Sequence, residues 1–377
     1  MADPFSREVY VAGIGMTTFG RHEGKRVTEL GREAVTAALA DAGLDYKAVE
    51  IAHCGHVLQG STAGQKVLYG VGMTGIPIFN VENACASGTT ALRAAAMAVG
   101  AGVANVALAV GFEFMGRGAI PSGGDERLQG AARGGAPPLP TLFAGLFREH
   151  ARRYGTTLDQ MAMVSVKNRA YGAKNPRAQY RELITIDDVL GSREVAPPLR
   201  LLMCCPTSSG AAAAVITSAD VARTTRRPVR MVASVLKSDP PTAPDDPLGE
   251  ITEINSSAMR TAYEQAGIRP EQLDCAEVHD CFSIAEIIHY ENLGLCPRGE
   301  GGRFIEQGLA RARVQVSTSG GLLAKGHPLG ATGVAQVVEA VEQLRSDSGE
   351  RQVLNARLAL AHCQGFGGAA GVHIFAA

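Results

Sequence analysis

Apolar positions recur along the chain in two rhythms, and the rhythms alternate. The run Val9 to Ile14 is near-continuously apolar and stops at Gly15, the signature of a buried strand. From Thr28 to Ala42 the apolar positions Leu30, Ala34, Ala37, Ala38 and Ala42 fit the 3.6-residue period, and Gly43 ends the pattern, which predicts a helix and its stop. A further strand signal begins near Val49. The same succession returns with a strand over Val229 to Val235 and a helix over Ser256 to Ala266.

The two stretches match at a fixed offset of 224 residues: Ala34, Ala38, Ala42, Gly43 and Leu44 fall on Ala258, Ala262, Ala266, Gly267 and Ile268, and Ala52 falls on Ala276. In each half a Gly-rich turn, a long Ala-rich helix and an apolar strand follow. In the first half these are Cys85 to Gly88, Thr89 to Ala101 and Val103 to Val110. In the second they are Ser319 to Gly330, Ala331 to Arg345 and Arg357 to Ala361. Strand and helix in alternation imply an α/β chain of two related halves, each with a doubly wound sheet, packed as a pseudo-twofold pair. The expected division is a first half over 1–114, an inserted loop domain over 115–227 and a second half over 228–377. The insertion opens with a Gly/Pro-rich stretch, Gly116 to Pro140. It continues with helical segments Leu142 to Arg153 and Leu158 to Tyr171. A long insertion on a rigid scaffold is expected to cover a ligand site, though a structural spacer would read the same way.

Composition narrows the function. Lys and Arg total 36 against 37 Asp and Glu, so no electrostatic footprint for nucleic acid or an anionic membrane is present. No apolar run reaches the ~20 residues that span a bilayer. The N-terminal residues lack a signal-peptide core, and the last residues, Ile374-Phe375-Ala376-Ala377, are not a peroxisomal address. Eight cysteines in 377 residues make no disulfide scaffold. The expectation is a reduced, cytoplasmic protein in which a special cysteine is a reagent.

Four segments could carry chemistry. Cys85 sits in Asn83-Ala84-Cys85-Ala86-Ser87-Gly88, just ahead of a helix for which Ser87 is a candidate cap. The positive end of the helix dipole would favour its thiolate, although a buried cysteine in a tight turn fits the same residues. His279-Asp280-Cys281-Phe282 follows a strand over Asp274 to Val278. If the strand continues, His279 and Cys281 share one face. His327 lies between Gly326 and Pro328 in the run Gly320 to Gly333, where a neutral imidazole at a helix start can act as a base. His362-Cys363-Gln364-Gly365-Phe366-Gly367-Gly368 ends a strand in a Gly-rich turn whose backbone N–H groups could face an oxyanion. His53-Cys54-x-His56 offers too few ligands for a metal site, and no resident metal is expected. Cys204-Cys205-Pro206 reads as a buried turn, and His150, His289 and His373 as surface or packing residues.

Taken together in this order, with Leu293-Gly294-Leu295-Cys296-Pro297 and Cys204-Cys205-Pro206-Thr207-Ser208, the segments resemble the thiolases. The resemblance is closest to the thiolase domain of the sterol-carrier-protein-type thiolases and covers nearly the whole chain. It implies a five-layered αβαβα fold, a homodimer, and acyl transfer between coenzyme A thioesters with no permanently bound cofactor. Cys85 resembles the nucleophile. His327 resembles the base that activates it and one donor of an oxyanion hole, and His279 stands where other thiolases place asparagine in that hole. Cys281 resembles the acid/base at the reacting carbon. The N–H groups of Cys85, Gly365 and Gly367 would hold the second oxyanion. Cys363 departs from the pattern: close relatives carry asparagine there, and classical thiolases a catalytic cysteine. It is a second candidate for the acid/base role, ranked behind Cys281 because the whole block around Cys281 matches, and is expected to share or assist the step. Lys167, Arg169, Lys174 and Arg177 offer charge for the phosphates of coenzyme A, though each would equally suit a solvated helix face. Two other readings remain open on this fold: a retro-aldol lyase of acyl-CoA side chains that acts with a small partner protein, and a noncatalytic acyl-CoA- or lipid-binding subunit. The complete set of reactive residues disfavours both.

Overall fold

The computed structural model describes residues 5–116, 138–241, 246–308 and 313–377. The first half runs β1 (Val9–Met16), α1 (Val27–Ala42), β2 (Ile51–Gly55), α2 (Ala63–Tyr69), β3 (Ile78–Val81), α3 (Ser87–Gly100) and β4 (Val106–Glu113). Then come α4 (Pro138–Tyr154), α5 (Leu158–Lys174), α6 (Ile186–Gly191), β5 (Glu194–Ala196), β6 (Leu199–Arg200), β7 (Gly210–Ser218) and α7 (Ala219–Ala222). The second half runs β8 (Val229–Lys237), α8 (Pro247–Ala266), β9 (Cys275–Glu277), α9 (Ser283–Asn292), α10 (Gly301–Glu306), β10 (Gln315–Val316), α11 (Gly321–Lys325), α12 (Thr332–Arg345), β11 (Leu358–Gly365) and β12 (Ala369–Ala376).

The large sheet has the order β10-β9-β11-β12-β8-β1-β7-β4-β2-β3. Read outward from its centre, the two halves are the same: β1-β7-β4-β2-β3 answers β8-β12-β11-β9-β10. In each half one strand is antiparallel to its neighbours, β7 in the first and β12 in the second. Each sheet is therefore mixed, not wholly parallel. The halves join through a short antiparallel pairing of Val9–Val11 with Val229–Met231.

The repeat extends to the caps. Helices α1 and α8 both end in a left-handed glycine, Gly43 at φ 69° and Gly267 at φ 66°, where any other residue would be strained. Helices α1 and α8 cover the outer faces, while α3 and α12 pack against each other and against strands of both halves. Five layers result. In β7, Ala211, Ala213 and Val215 point into the outer core and Ala212, Ala214 and Ile216 into the central one. Burial on both faces is why this strand reads as an unbroken apolar run. Gly210–Ser218, placed by sequence in the insertion, instead pairs with β1 and β4 in the first half of the sheet. Most of Gly116 to Pro140 lies outside the described residues.

The central helices approach unusually closely at their N-termini. A Cβ on Gly88 would lie 2.5 Å from the carbonyl oxygen of Gly330, and one on Gly333 would overlap the backbone of Thr89. Glycine at these positions lets the ends of α3 and α12 meet, and the candidate site forms at that meeting.

Candidate active site

Cys85 occupies a turn between β3 and α3. Ala84 adopts φ 48°, a left-handed conformation that side chains disfavour, and the turn is held from within. The Ser87 hydroxyl donates to the Ala84 carbonyl at 2.6 Å and accepts from the Asn83 N–H at 2.9 Å. Ser87 thus locks the turn instead of capping the helix; Ala86 is the N-cap, without a side-chain bond.

His279 and Cys281 follow β9, which ends at Glu277, earlier than the sequence pattern suggests. Both still border one cavity of about 370 Å³, together with Cys85 and His327. Phe282, which a continued strand would turn to the face opposite His279 and Cys281, borders it too, because the chain has left strand geometry. Asp280 turns away and accepts from the N–H groups of Leu322 (2.8 Å) and Leu323 (3.3 Å) and from Asn168 Nδ2 (2.7 Å), fixing the start of α11. Burial, with Glu286 nearby, pushes the Asp280 carboxyl upward. His327 follows Gly326, which stands at φ 107°. The Cys204–Ser208 segment lies across both loops: Cys204 pairs with Phe282, Thr207 with His327, and Ser208 Oγ accepts from the His327 N–H at 3.1 Å. Cys204 and Cys205 are therefore cavity wall, where sequence placed only a buried turn.

One sulfur or nitrogen atom from each of Cys85, His279 and His327 lies within 4.8 Å of the others, and the two rings meet edge-on at 5.1 Å. The tautomer of His327 follows from its neighbour. The Thr332 hydroxyl donates to the Pro328 carbonyl at 2.8 Å, so toward His327 Nδ1, 2.7 Å away, it accepts. Nδ1 therefore carries the hydrogen and Nε2 the lone pair. Nε2 is buried and makes no hydrogen bond. Burial holds His327 far below the usual histidine range and brings His279 to about 3, so both rings are neutral.

Burial also raises the Cys85 thiol to about 12, with Glu113 adding to it, against the lowering effect of the Phe366 N–H. This corrects the expectation of a resting thiolate: desolvation outweighs the helix end. The N–H aimed at the sulfur belongs to Phe366, between the two predicted donors Gly365 and Gly367. Gly365 is needed for close approach, since a Cβ there would collide with the Asn83 carbonyl.

The two remaining cysteines differ in place. Cys281 borders the cavity, whereas Cys363 is fully buried behind Cys85 and does not. The Cys363 thiol stands 3.1 Å from the Cys85 carbonyl oxygen and 3.4 Å from His279 Nδ1. Donating to the carbonyl, it accepts from Nδ1–H and leaves a lone pair on His279 Nε2. Donating to Nδ1, it leaves an N–H there instead. Burial pushes both thiols well above the usual cysteine range.

The cations singled out for coenzyme A fare less well. Lys167 is buried and ion-paired with Glu286, its Nζ also donating to the Val316 carbonyl at 2.8 Å. Arg169 stacks on Tyr180 at 4.2 Å and faces Glu182, and Arg177 pairs with Glu342. Lys174 is exposed at the end of α5. None borders the cavity; among the described residues Arg193 is the charged side chain that does. Its wall is otherwise mostly apolar, with Leu139, Phe143, Leu201 and Phe366. His150, His289 and His373 are buried packing residues. Sequence reasoning also missed Glu113, whose carboxylate accepts from the N–H groups of Val57 (2.9 Å), Leu58 (3.0 Å) and Gly330 (3.1 Å) and from Gln59 Nε2 (2.7 Å). It ties the His327 loop to the first half.

A cysteine-bearing helix start from one half, facing a histidine loop from the other across a five-layered fold, is the arrangement of the thiolase class. Residues 9–220 match the thiolase N-terminal domain and residues 245–377 the thiolase C-terminal domain-like family. The chain is 41% identical to sterol carrier protein 2 of Gallus gallus over 98% of this chain and 72% of that protein. It is 40% identical to acetyl-CoA acetyltransferase of Methanothermobacter thermautotrophicus over 98% of this chain and 99% of that one. A solved structure described as "Ltp2-ChsH2(DUF35) aldolase" superposes with a TM-score of 0.84 at 28% identity, covering 98% of each chain. The chain belongs to the thiolase family, and it is an acyltransferase of that family.

Proposed function

We propose that Cys85 carries the acyl group between two coenzyme A thioesters, with His327, His279, Cys281 and Cys363 in distinct roles. The observation that carries this reading is the unpartnered His327 Nε2 lone pair, buried in reach of the Cys85 thiol. Cys85 and His327 are both neutral at rest, so the proton moves to Nε2 only as sulfur adds to the thioester carbonyl. The protonated Nε2 then returns it to the departing coenzyme A thiolate. In the second half-reaction an enolate forms beside the other thioester. Cys281, at the cavity wall, exchanges the proton with its carbon. Protonated Cys281 is the form that supplies a proton to the leaving carbon in thiolysis; as a thiolate it removes one in condensation. The enolate oxygen lies against His279, which offers Nε2–H once the Cys363 thiol turns from the Cys85 carbonyl to donate to Nδ1; His327, having returned its proton, donates to a thioester oxygen only while Nε2 is protonated. Cys363 thereby acts through His279. The Phe366 and Cys85 N–H groups serve the second oxyanion, with Gly365 and Gly367 shaping the turn.

The inserted stretch covers the cavity, and Arg193, at its wall, takes the place of Lys167, Arg169 and Arg177 as a coenzyme A phosphate contact. Lys174 remains a candidate on the outer face. No permanent cofactor is required by these steps. A homodimer is supported by β3, a sheet-edge strand with Phe79 exposed and Leu58, Tyr69 and Met73 exposed nearby. Eight free cysteines support a reducing, cytoplasmic setting, and among the described residues no helix is long and apolar enough to cross a membrane. The aldolase likeness supports a second reading, in which a small partner protein closes the site for carbon–carbon cleavage without acylation.

Intact mass after mixing with acetyl-CoA or a longer acyl-CoA tests the first reading. A gain of one acyl group that Cys85→Ala abolishes is the expected result; no gain despite binding would transfer the case to the lyase. Cys281→Ala should acylate yet fail to condense, and full condensation in that variant with loss in Cys363→Ala would reverse the two roles.

A further inference from the structure

We propose that Cys85, His279 and His327 form a latent site for Zn²⁺ and similar borderline-soft divalent cations, and that its occupation silences the nucleophile. Binding stands on the geometry alone; the silencing rests on the acyl-transfer reading above. Histidine at position 279 is what completes the set, since an asparagine there would leave only two ligands of this kind.

The donor atoms lie within 4.8 Å of one another. Around tetrahedral zinc, with bonds of about 2.0–2.3 Å, ligand atoms stand roughly 3.3–3.7 Å apart. Closing the trio by about 1 Å is within the reach of side-chain rotation. One thiolate and two imidazoles, with no carboxylate, select zinc or cobalt over magnesium or calcium. The fourth position opens toward the cavity, as in zinc sites that keep an exchangeable ligand.

The supporting contacts are of the kind metal sites use. His327 donates Nδ1–H to Thr332 at 2.7 Å, which leaves the Nε2 lone pair aimed into the site and unpartnered. His279 Nδ1 is engaged by Cys363 at 3.4 Å, so Nε2 presents its lone pair when the Cys363 thiol donates to the Cys85 carbonyl. The Phe366 N–H supports the Cys85 sulfur. The step balances simply: the Cys85 S–H bond breaks, an S–Zn bond forms, one proton is released to solvent, and both imidazoles bind as neutral donors. Nothing is oxidised.

The test titrates the chelator-treated full-length protein with Co²⁺, then displaces it with Zn²⁺. One equivalent should give a thiolate-to-cobalt charge-transfer band and the visible absorption of a tetrahedral site. Cys85→Ala, checked for folding by circular dichroism, should lose the charge-transfer band. His279→Asn should bind at least tenfold more weakly, and wild-type protein acylated beforehand should not bind. Stoichiometric Zn²⁺ should block acylation of wild type. A band that survives in Cys85→Ala, the absence of any band, or unchanged acylation with zinc bound would overturn the proposal. Acylation in chelator without metal binding overturns this inference alone. Metal binding without acylation in chelator overturns the acyl-transfer reading and the silencing, and leaves the binding site standing.

Discussion

Thr332→Val removes one oxygen and keeps the shape of a buried side chain. The hydroxyl accepts the only hydrogen bond of His327 Nδ1–H, at 2.7 Å, and donates to the Pro328 carbonyl. Without it, a buried N–H is left unmet, at a cost of about 1–3 kcal/mol. The ring then gains by moving its hydrogen to Nε2, the atom that on the proposed reading must be bare to accept the Cys85 proton. If that full cost falls on the reactive tautomer, acylation slows by roughly 5- to 150-fold, at 1.4 kcal/mol per factor of ten. Single-turnover release of coenzyme A thiol from acetyl-CoA measures this step. Thr332→Ser keeps the hydroxyl and should retain most of the rate. An equal loss in both variants would show that the methyl group matters and not the hydrogen bond. Wild-type acylation in Thr332→Val would refute the tautomer assignment altogether.

The thiol of Cys85, pushed up to about 12 by burial, should react with iodoacetamide at a rate rising about tenfold per pH unit from 7 to 10, because only the thiolate attacks; a plateau near neutrality would mean a resting thiolate–imidazolium pair. In Glu113→Gln one amide oxygen replaces two carboxylate oxygens. Gln59 can reorient its own amide, so at least the Leu58 N–H loses its acceptor, and denaturant unfolding should show a loss of about 1–3 kcal/mol; no loss would mean that the loop tie is dispensable. Lys325 and Glu277 pair at 3.3 Å with 1% and 3% side-chain exposure, so Lys325→Met should strand a buried carboxylate and cost about 3–5 kcal/mol; a chemical melt within 1 kcal/mol of wild type would contradict this.

The repeat was legible because it is written in helix period and glycine stops. The offset of 224 residues carries α1 onto α8, Gly43 onto Gly267 and the short 3₁₀ turn Tyr46–Ala48 onto Pro270–Gln272. The sheet membership of β7 was not legible, since its partners β1 and β4 are supplied by residues some hundred or more positions earlier and an all-apolar run does not name its neighbours. The four reactive segments could be found as local motifs. What local reading misses is the partner brought from afar. Lys167 looks like a free cation until Glu286 is folded against it, and Cys85 looks like a thiolate until burial is counted. Thr332 lay in plain view at the end of the His327 segment, but only the Pro328 carbonyl reveals which way its hydroxyl points.

The duplicated fold explains why the chemistry gathers where it does. Each half contributes one central helix, and close approach at Gly88 and Gly333 turns the positive ends of α3 and α12 toward the same space. Such a place favours negative charge developing on a thioester oxygen before any side chain is chosen. The halves then diverged in what surrounds it. The first retains at the end of β4 a carboxylate, Glu113, that is consumed in bonding loops together. The equivalent strand end in the second half, β11, carries Cys363 and the Gly365–Gly368 turn, and the end of β9 carries His279 and Cys281. On the proposed reading one half supplies the nucleophile and the brace, and the other supplies the proton carriers. A site built this way exists only when both halves are folded and docked, so perturbing the brace should cost catalysis as well as stability.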